Sequence, residues 1–543
     1  MKTKYIVVTG GVLSGLGKGI VTASIGNILK SQGFNVTPIK IDPYINIDAG
    51  TMRPTEHGEV WVTHDGGETD MDLGNYERFM DIEVGKDNSI TTGQVYLTVI
   101  QKERNLEYGG GNVEVIPHIP EEVIRRIKTV SKKDKAEFVL IEIGGTVGDY
   151  QSVLFLEAAK QMRLKGEEVL FVHVVYLPIP SNLGEMKTKP AQHSVRELNT
   201  VGIQPDFIVA RSSKPMDDIR RKKLSVFCNV KENEIMSSPD IDNIYGVPSF
   251  FEEQGFAEMI LKKFNKKYKK NKVVKDWKKF IDDIKNYKKI VKVGIVGKYF
   301  DTGNFALKDS YASVIESIKH ACWNNKVKPE ICWIDSKDFE KNPKKVSELK
   351  NYDAIIVPGG FGSSGVEGKI NAIKYVRENN IPYLGLCYGM QLAIIEYARN
   401  VCKLENANSS EINPKTKYKV VHFIEEQKEK IKKQDYGGTM RLGSYEAKLI
   451  KGTKVWRLYK KDIVSERHRH RYEINPEYIN ILQKKGLIFS GMSKDNRLME
   501  FMELPKHAFF VGTQAHPEFK SRPMKPAPLF DGLIKAALKR KIY

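Results

Sequence analysis

Short apolar runs, bounded by Gly, Pro, Asn or Asp, alternate through the first half of the chain with stretches of helical spacing. They predict strands over residues 5–9, 35–41, 137–143, 168–176 and 206–210, with helices over 17–31 and 152–163. An irregular acidic stretch is expected up to Arg78. Such alternation points to an α/β fold, a parallel sheet covered on both faces. The pattern restarts after a lysine-rich stretch. Strands are expected at 291–297, 353–357 and 383–387, with helices near 307–321 and 369–379. The chain therefore divides into residues 1–266, a linker over 267–290, and residues 291–543.

Length supports that division, since 543 residues exceed what one core holds. No apolar run approaches the ~20 residues of a membrane span. The N-terminus enters a strand without a signal-peptide layout. The five cysteines, Cys228, Cys322, Cys332, Cys387 and Cys402, form no C-x-x-C pair, which fits a reducing compartment. A cytoplasmic protein with no membrane partner is expected. The net charge of +20 would suit nucleic acid, but residues 262–292 alone hold fourteen Lys against three Asp. Lysines interleaved there with Phe264, Tyr268, Trp277, Phe280 and Ile281 read as a solvated connector with short packed helices. It contains no arginine, the preferred base-reading residue, so no nucleic-acid partner is expected.

Two chemistries stand out. Cys387 lies in Gly-Leu-Cys387-Tyr-Gly-Met-Gln, between a strand and a helix, the setting of a nucleophile elbow. His516 and Glu518, in His-Pro-Glu, supply a base and a carboxylate to orient it. An inert core thiol is the bland alternative, and the elbow, the terminal His-Pro-Glu and Gly359-Gly360 together outweigh it. At the other end, residues 10–19 follow a strand and open a helix, as a phosphate loop does, with Lys18 to meet outer phosphates. The strict loop pattern is broken at Val12, and Gly19 replaces the metal-binding hydroxyl. A metal would then need carboxylates. Asp70 and Asp72 would share a face if extended, and Glu142 ends an apolar strand. Basic residues suited to triphosphates recur at Lys40, Lys187, Lys189 and residues 221–223.

Many ordered segments carry a resemblance. These include Gly10–Ile20, Lys40-Ile-Asp-Pro-Tyr-Ile-Asn46, His57-Gly-Glu-Val, Gly74-Asn-Tyr-Glu-Arg-Phe79 and Glu142-Ile-Gly-Gly-Thr-Val-Gly-Asp149. They continue with Lys187-Thr-Lys-Pro, Cys228-Asn-Val, Pro358-Gly-Gly-Phe-Gly362, Glu405-Asn-Ala-Asn-Ser409 and Arg467-His-Arg-His-Arg-Tyr472. The chain resembles the CTP synthase family over nearly its whole length. The resemblance implies a P-loop-type synthetase domain followed by a class I glutamine amidotransferase domain. It also implies ATP-dependent amination of UTP to CTP through a 4-phosphorylated intermediate. Glutamine supplies the nitrogen, ammonia is channelled internally, and CTP inhibits.

By the same resemblance, Ser14, Gly15, Leu16, Gly17, Lys18, Gly19, Ile20, Lys40, Asp72, Asp240 and Ile241 bind ATP, and Asp72 with Glu142 bind Mg2+. Ser14, Asp149, Tyr150, Gln151, Lys187, Thr188, Lys189, Pro190, Ala191, Gln192 and Lys223 bind UTP or CTP, in a pocket completed by a neighbouring subunit. Gly360, Tyr388, Gly389, Met390, Gln391, Glu411 and Arg471 bind glutamine, and His57 stands near the channel gate. A homotetramer that stacks into filaments is implied, with GTP as the allosteric activator. Departures occur at Ser363-Ser364, where many members carry Arg in a lid associated with GTP, and at Glu114 and Gln151, where Gln and Glu are usual. The competing readings are a cobyrinate-type amide synthase and a polymerising nucleotide sensor without catalysis.

Overall fold

The computed structural model describes residues 2–269, 272–298, 301–302, 305–306, 308–360, 362–423 and 440–540. Leu307, at the edge of an expected helix, and Phe361, within an expected motif, lie outside the described residues. Two compact units are present, Met1–Ala49 with Asp72–Lys285 and Gly50–Met71 with Asn286–Tyr543.

In the first unit the described residues form a seven-stranded, all-parallel sheet. Its strands are β1 (Lys4–Gly10), β2 (Val36–Asp42), β3 (Ser89–Thr91), β4 (Phe138–Ile143), β5 (Glu168–Tyr176), β6 (Phe207–Ser212) and β7 (Ile235–Pro239), ordered β3-β2-β4-β1-β5-β6-β7. The central strands are buried along their length, as parallel strands covered on both faces must be. Tyr5, Val7, Ile39, Ile41, Val139 and Ile141 form one face of the core, packed under Val123, Ile127, Phe155 and Met162. Each such side chain contributes about 1.5–3 kcal/mol by leaving water. Helix α1 (Lys18–Ser31) follows β1, as its spacing predicts.

The acidic stretch expected to be irregular ends instead in a helix, α2 (Asp72–Met80). Its signal was hidden because Asp72, Asn75, Glu77 and Arg78 interrupt the apolar spacing, although Asn75, Glu77 and Arg78 are buried. The lysine-rich stretch carries helix α3 (Lys272–Asn286). Trp277 donates from Nε1 to the Tyr245 carbonyl at 2.8 Å, and Ile281 and Ile284 are buried, so one face packs while Lys275, Lys278, Lys279 and Lys285 are exposed.

In the second unit a nine-stranded sheet is formed by the described residues. It comprises β8 (Ile290–Gly297), β9 (Lys328–Asp335), β10 (Ala354–Val357), β11 (Tyr383–Leu386), β12 (Arg441–Leu449), β13 (Ile463–His470), β14 (Ile488–Ser493), β15 (Met499–Glu503) and β16 (Phe510–Thr513). The order is β9-β8-β10-β11-β16-β15-β14-β12-β13, parallel from β9 to β16 and antiparallel beyond. Alternate residues face opposite cores: Ile355, Val357 and Tyr383 one way, Ala354, Ile356 and Leu384 the other. The expected strands at 291–297, 353–357 and 383–387 fall on β8, β10 and β11. The antiparallel half was not foreseen, because strands such as Ile463–His470 bury charged and imidazole side chains where an apolar run would be the usual signal.

Helices α4 (Val366–Glu378) and α5 (Tyr388–Asn400) flank β11. No helix among the described residues is long and apolar enough to cross a membrane.

Candidate functional site

Cys387 occupies the single step between β11 and α5, with φ 49° and ψ −99°. An L-residue held there costs about 1–3 kcal/mol, a strain typical of functional turns. The turn is pinned by the Cys387 N–H, which donates to the Thr513 carbonyl at 2.7 Å. The following helix closes on β10 so tightly that a Cβ on Gly389 would lie 2.1 Å from the Val357 carbonyl oxygen. His516 Nδ1 lies 2.7 Å from Glu518 Oε1, which leaves Nε2 as the nitrogen for the sulfur. Burial opposes charge on this ring, but Glu518 and Cys387 outweigh it and push the imidazole up to about 10. Gly359 packs against the same ring, where a Cβ would lie 2.8 Å from His516 Cε1.

A cavity of about 200 Å³ opens on these groups, lined by Cys387, His516, Gly359, Gly360, Arg469 and Arg471. Glu411 accepts the Gly362 N–H at 2.9 Å; burial raises its pKa, opposed by that bond and by the charges of Lys298 and Arg471. Gln391 donates to the Tyr472 carbonyl at 2.9 Å and to Gln514 Oε1 at 3.3 Å. Gln514 in turn lies 3.6 Å from the Cys387 sulfur, a neighbour that the sequence did not single out. Met390 is fully buried in the core, so its side chain does not face the cavity.

The far wall of the cavity comes from residues 50–71, through Gly50, Met52, Pro54 and Glu59. Alternation along β13 and just beyond it explains how this segment is held. Arg467 donates to the Val62 carbonyl at 3.0 Å, and Arg469 to Glu68 Oε1 at 2.7 Å and the Gly50 carbonyl at 3.2 Å. The intervening histidines turn to the opposite face. His468 lies 2.8 Å from Glu500 and His470 2.6 Å from Glu473, with Arg441 bridging both carboxylates. Burial holds His470 down at about 3, so it stays neutral. His57 sits on the inserted segment, its Nε2 3.5 Å from Asp70. The extended backbone on which Asp70 and Asp72 would share a face is not present, because Asp72 opens helix α2.

In the first unit, β2 and β4 pair in register at Lys40 and Glu142, which projects both side chains to one side of the sheet. Lys40 Nζ lies 3.2 Å from Glu142 and also bonds Asp72. Helix α2 brings Asp72, Asn75 and Tyr76 to the same place, and the Tyr76 hydroxyl donates to Glu142. Lys18 donates to the Gly145 carbonyl at 2.7 Å. Burial lowers Lys18 and raises Glu142; for Asp72, burial is outweighed by Lys40 and its pKa falls. A Cβ on Gly19 would lie 2.2 Å from Asp72 Oδ1, so the carboxylate occupies the room that a hydroxyl side chain would need there. Val12 takes φ 83°, a left-handed conformation costing a β-branched residue about 1–3 kcal/mol. Ser14 and Gly15 are exposed at the loop tip, Leu16 and Lys18 are buried, and Gly17 and Ile20 are half-buried.

Arg211 was missed by sequence reasoning. It lies 3.7 Å from where a Gly17 Cβ would stand and pairs with Asp240 at 2.7 Å, linking the glycine-rich loop after β1 to the segment of Asp240 and Ile241. His173 was also missed, since it reads as one polar residue in an apolar strand. It is held between Thr9 at 2.8 Å and Ser194 at 2.7 Å, and burial keeps it neutral, at about 3. Besides Ser14 at the loop tip, the residues expected to bind UTP or CTP fall in two groups. Tyr150 and Gln151 line a pocket of about 350 Å³ with Pro43, Tyr44 and Phe155, and Asp149 accepts the Thr146 N–H beside them. Lys187–Gln192 lead into a helix, where Lys187 and Arg220 share Glu185, Thr188 bonds Gln192, Pro190 sits in the first turn and Ala191 is buried. Lys189 and Lys223 are exposed.

Residues 4–266 match the CTP synthase N-terminus family, and residues 306–536 match the class-I glutamine amidotransferase family. A CTP synthase of Pyrococcus furiosus is 53% identical over 542 residues, covering 99% of this chain and 98% of its own. Those of Sulfolobus acidocaldarius and Methanocaldococcus jannaschii are 51% and 52% identical, each over at least 98% of both chains. Among solved structures, the glutaminase domain of a Trypanosoma brucei CTPS with bound acivicin is 38% identical. It covers 46% of this chain and 94% of that one, with a TM-score of 0.43. Matches of this extent run through both units and do not favour a cobyrinate-type amide synthase. The chain belongs to the CTP synthase family.

Proposed function

We propose that the chain converts UTP, ATP and glutamine to CTP, ADP, phosphate and glutamate, with the two halves of the reaction divided between its two units. The observation that carries this reading is the pairing of Cys387, His516 and Glu518 in one unit with Lys18, Lys40, Asp72 and Glu142 in the other.

In the second unit the Cys387 sulfur attacks the glutamine carboxamide, giving a tetrahedral oxyanion held by the Gly360 and Tyr388 backbone N–H groups. His516, oriented by Glu518, delivers a proton to the departing nitrogen, and ammonia leaves. Water then attacks the thioester, releasing glutamate and restoring the thiol. Arg471 and Glu411 suit the carboxylate and ammonium of the substrate, with Gln391 and the backbone at Gly389 and Met390 shaping the pocket. Ammonia travels internally, since a proton taken up in bulk water would occupy its lone pair. His57 stands on the segment that walls the thiol cavity.

In the first unit the uracil 4-oxygen attacks the ATP γ-phosphorus and ADP departs. Ammonia adds at C4, the C4–O bond breaks, and phosphate leaves with that oxygen. The backbone of residues 14–20 cradles the phosphates, while Lys18 and Lys40 offset charge on the group in transfer. Asp72 and Glu142 suit magnesium, a hard cation held by one or two carboxylates plus substrate phosphates, and when bound it would neutralise phosphate charge. Asp240 and Ile241 lie beside the adenine. Tyr150, 98% exposed, and Ile45, 73% exposed, flank the pyrimidine-nucleotide pocket, which favours its completion by a second subunit in a homotetramer able to stack into filaments. CTP competes there. The lid at Ser363-Ser364 lacks the usual arginine, so GTP activation is expected to be weaker than in members that carry it.

The test is CTP formation by the purified chain with UTP, ATP and magnesium. Glutamine and free ammonia should each support it, with one glutamate released per CTP in the first case. Glutamine turnover without CTP would contradict the proposal.

A further inference from the structure

Lys369 of α4 takes no part in the chemistry proposed above, yet its setting is not that of a surface lysine. The residue is 0% exposed and its Nζ has no hydrogen-bond partner. An unpaired ammonium in a protein interior is costly, and an apolar side chain would fill the same space without that penalty.

The amine lies behind the turn that faces the thiol. A Cβ built on Gly360 would stand 3.9 Å from Lys369 Nζ and 3.9 Å from Tyr388 Cδ1. Nζ is 5.5 Å from the centre of the Tyr388 ring, and the Tyr388 hydroxyl donates to the Gly362 carbonyl at 2.6 Å. The charged groups that act on it are Lys298, just past β8, which disfavours a second cation, and Asp335, at the end of β9, which favours one. Lys298 is itself acted on by Glu411 and Lys337. Next to Asp335, the Ser336 hydroxyl is also buried and unpartnered.

We infer that Lys369 is a positioning residue for the glutaminase step, whose ammonium form places a positive charge with no hydrogen-bond partner behind Gly360 and Tyr388 and so supports the oxyanion formed there. The inference rests on the proposed roles of Cys387, Gly360 and Tyr388. Its physical basis is differential. Ground-state glutamine carries no negative charge at the carbonyl oxygen, so the ammonium gains an anion beside Gly360, additional to Asp335, only as the tetrahedral state develops. In a dry interior such a charge is poorly screened. The effect should therefore appear in kcat and leave KM for glutamine nearly unchanged.

A pH signature follows. Burial, and then Lys298, hold Lys369 down at about 7. The ammonium is present below that pH and lost above it, so its contribution to kcat fades as pH rises through about 7. The same depression makes the folded state bind fewer protons than the unfolded chain between about 7 and the ordinary lysine value near 10.4. The stability penalty of the buried charge is thus complete below about 7 and relieved as pH rises.

The test is Lys369→Met in the full chain, measuring glutaminase kcat and KM across pH 6–9, ammonia-dependent CTP formation and thermal unfolding. Loss of a direct oxyanion donor costs about 10²–10³ in kcat; a charge one step behind it should cost less, about tenfold below pH 7. KM should hold, the limb near pH 7 should vanish, ammonia-dependent synthesis should persist, and Tm should rise at pH 6. An unchanged kcat, or a reduced kcat whose pH profile keeps the wild-type limb, overturns the inference. If the variant does not accumulate, a wild-type glutaminase profile without a limb near pH 7 overturns it as well. Absence of any glutaminase activity in the wild type would instead contradict the Cys387 assignment.

Discussion

Cys387→Ala is expected to lose glutamine-dependent CTP synthesis by about 10⁴-fold or more, the scale on which a nucleophile's removal is felt in comparable triads. Synthesis from free ammonia should stay near wild type. Cys387 is 3% exposed, and its turn is fixed by backbone bonds to Thr513 and by the close packing of Gly389, none of which involves the sulfur. Removing the sulfur from a strained turn leaves the fold intact, and Glu518, the larger of the two charges that raise His516, remains. Paired assays with glutamine and with ammonium salts check this. Loss of both activities in a folded variant would contradict separable sites.

Lys18→Ala should reduce CTP formation from either nitrogen source by about 10³-fold or more, as expected for a cation on a phosphoryl group in transfer. Glutamine hydrolysis measured alone should survive. Lys18 is buried among Glu142, Asp72, Asp42 and Lys40, and burial is the main cause that lowers its pKa. A triphosphate would supply the negative charge that favours the ammonium form. Retained ammonia-dependent synthesis would show that phosphoryl transfer occurs elsewhere.

The candidate residues of both proposed sites stand out in the sequence because their signals are local. Cys387 announces itself through the glycines around it, Lys18 through the loop between β1 and α1, and Glu142 as a lone carboxylate on a buried strand. What escaped notice depends on distance. The placement of residues 50–71 with the second unit rests on distant partners: Arg467 and Arg469, some 400 residues away, reach Val62, Gly50 and Glu68, and the Ser313 N–H donates to Glu59 at 2.9 Å. Arg211 joins the glycine-rich loop after β1 only because β6 ends beside Gly17. The antiparallel half of the second sheet carries Arg441, His468, His470, Glu473 and Glu500 in buried ion pairs. A pattern search reads such residues as surface, since pairing is invisible until the strands are assembled.

Oxygen bookkeeping tests the central claim most directly. If the first unit activates UTP by phosphorylating its 4-oxygen, then UTP labelled with ¹⁸O at C4, incubated with ATP and either nitrogen source, should yield inorganic phosphate carrying the label in step with CTP. CTP accumulating while the label appears in water instead would contradict the account.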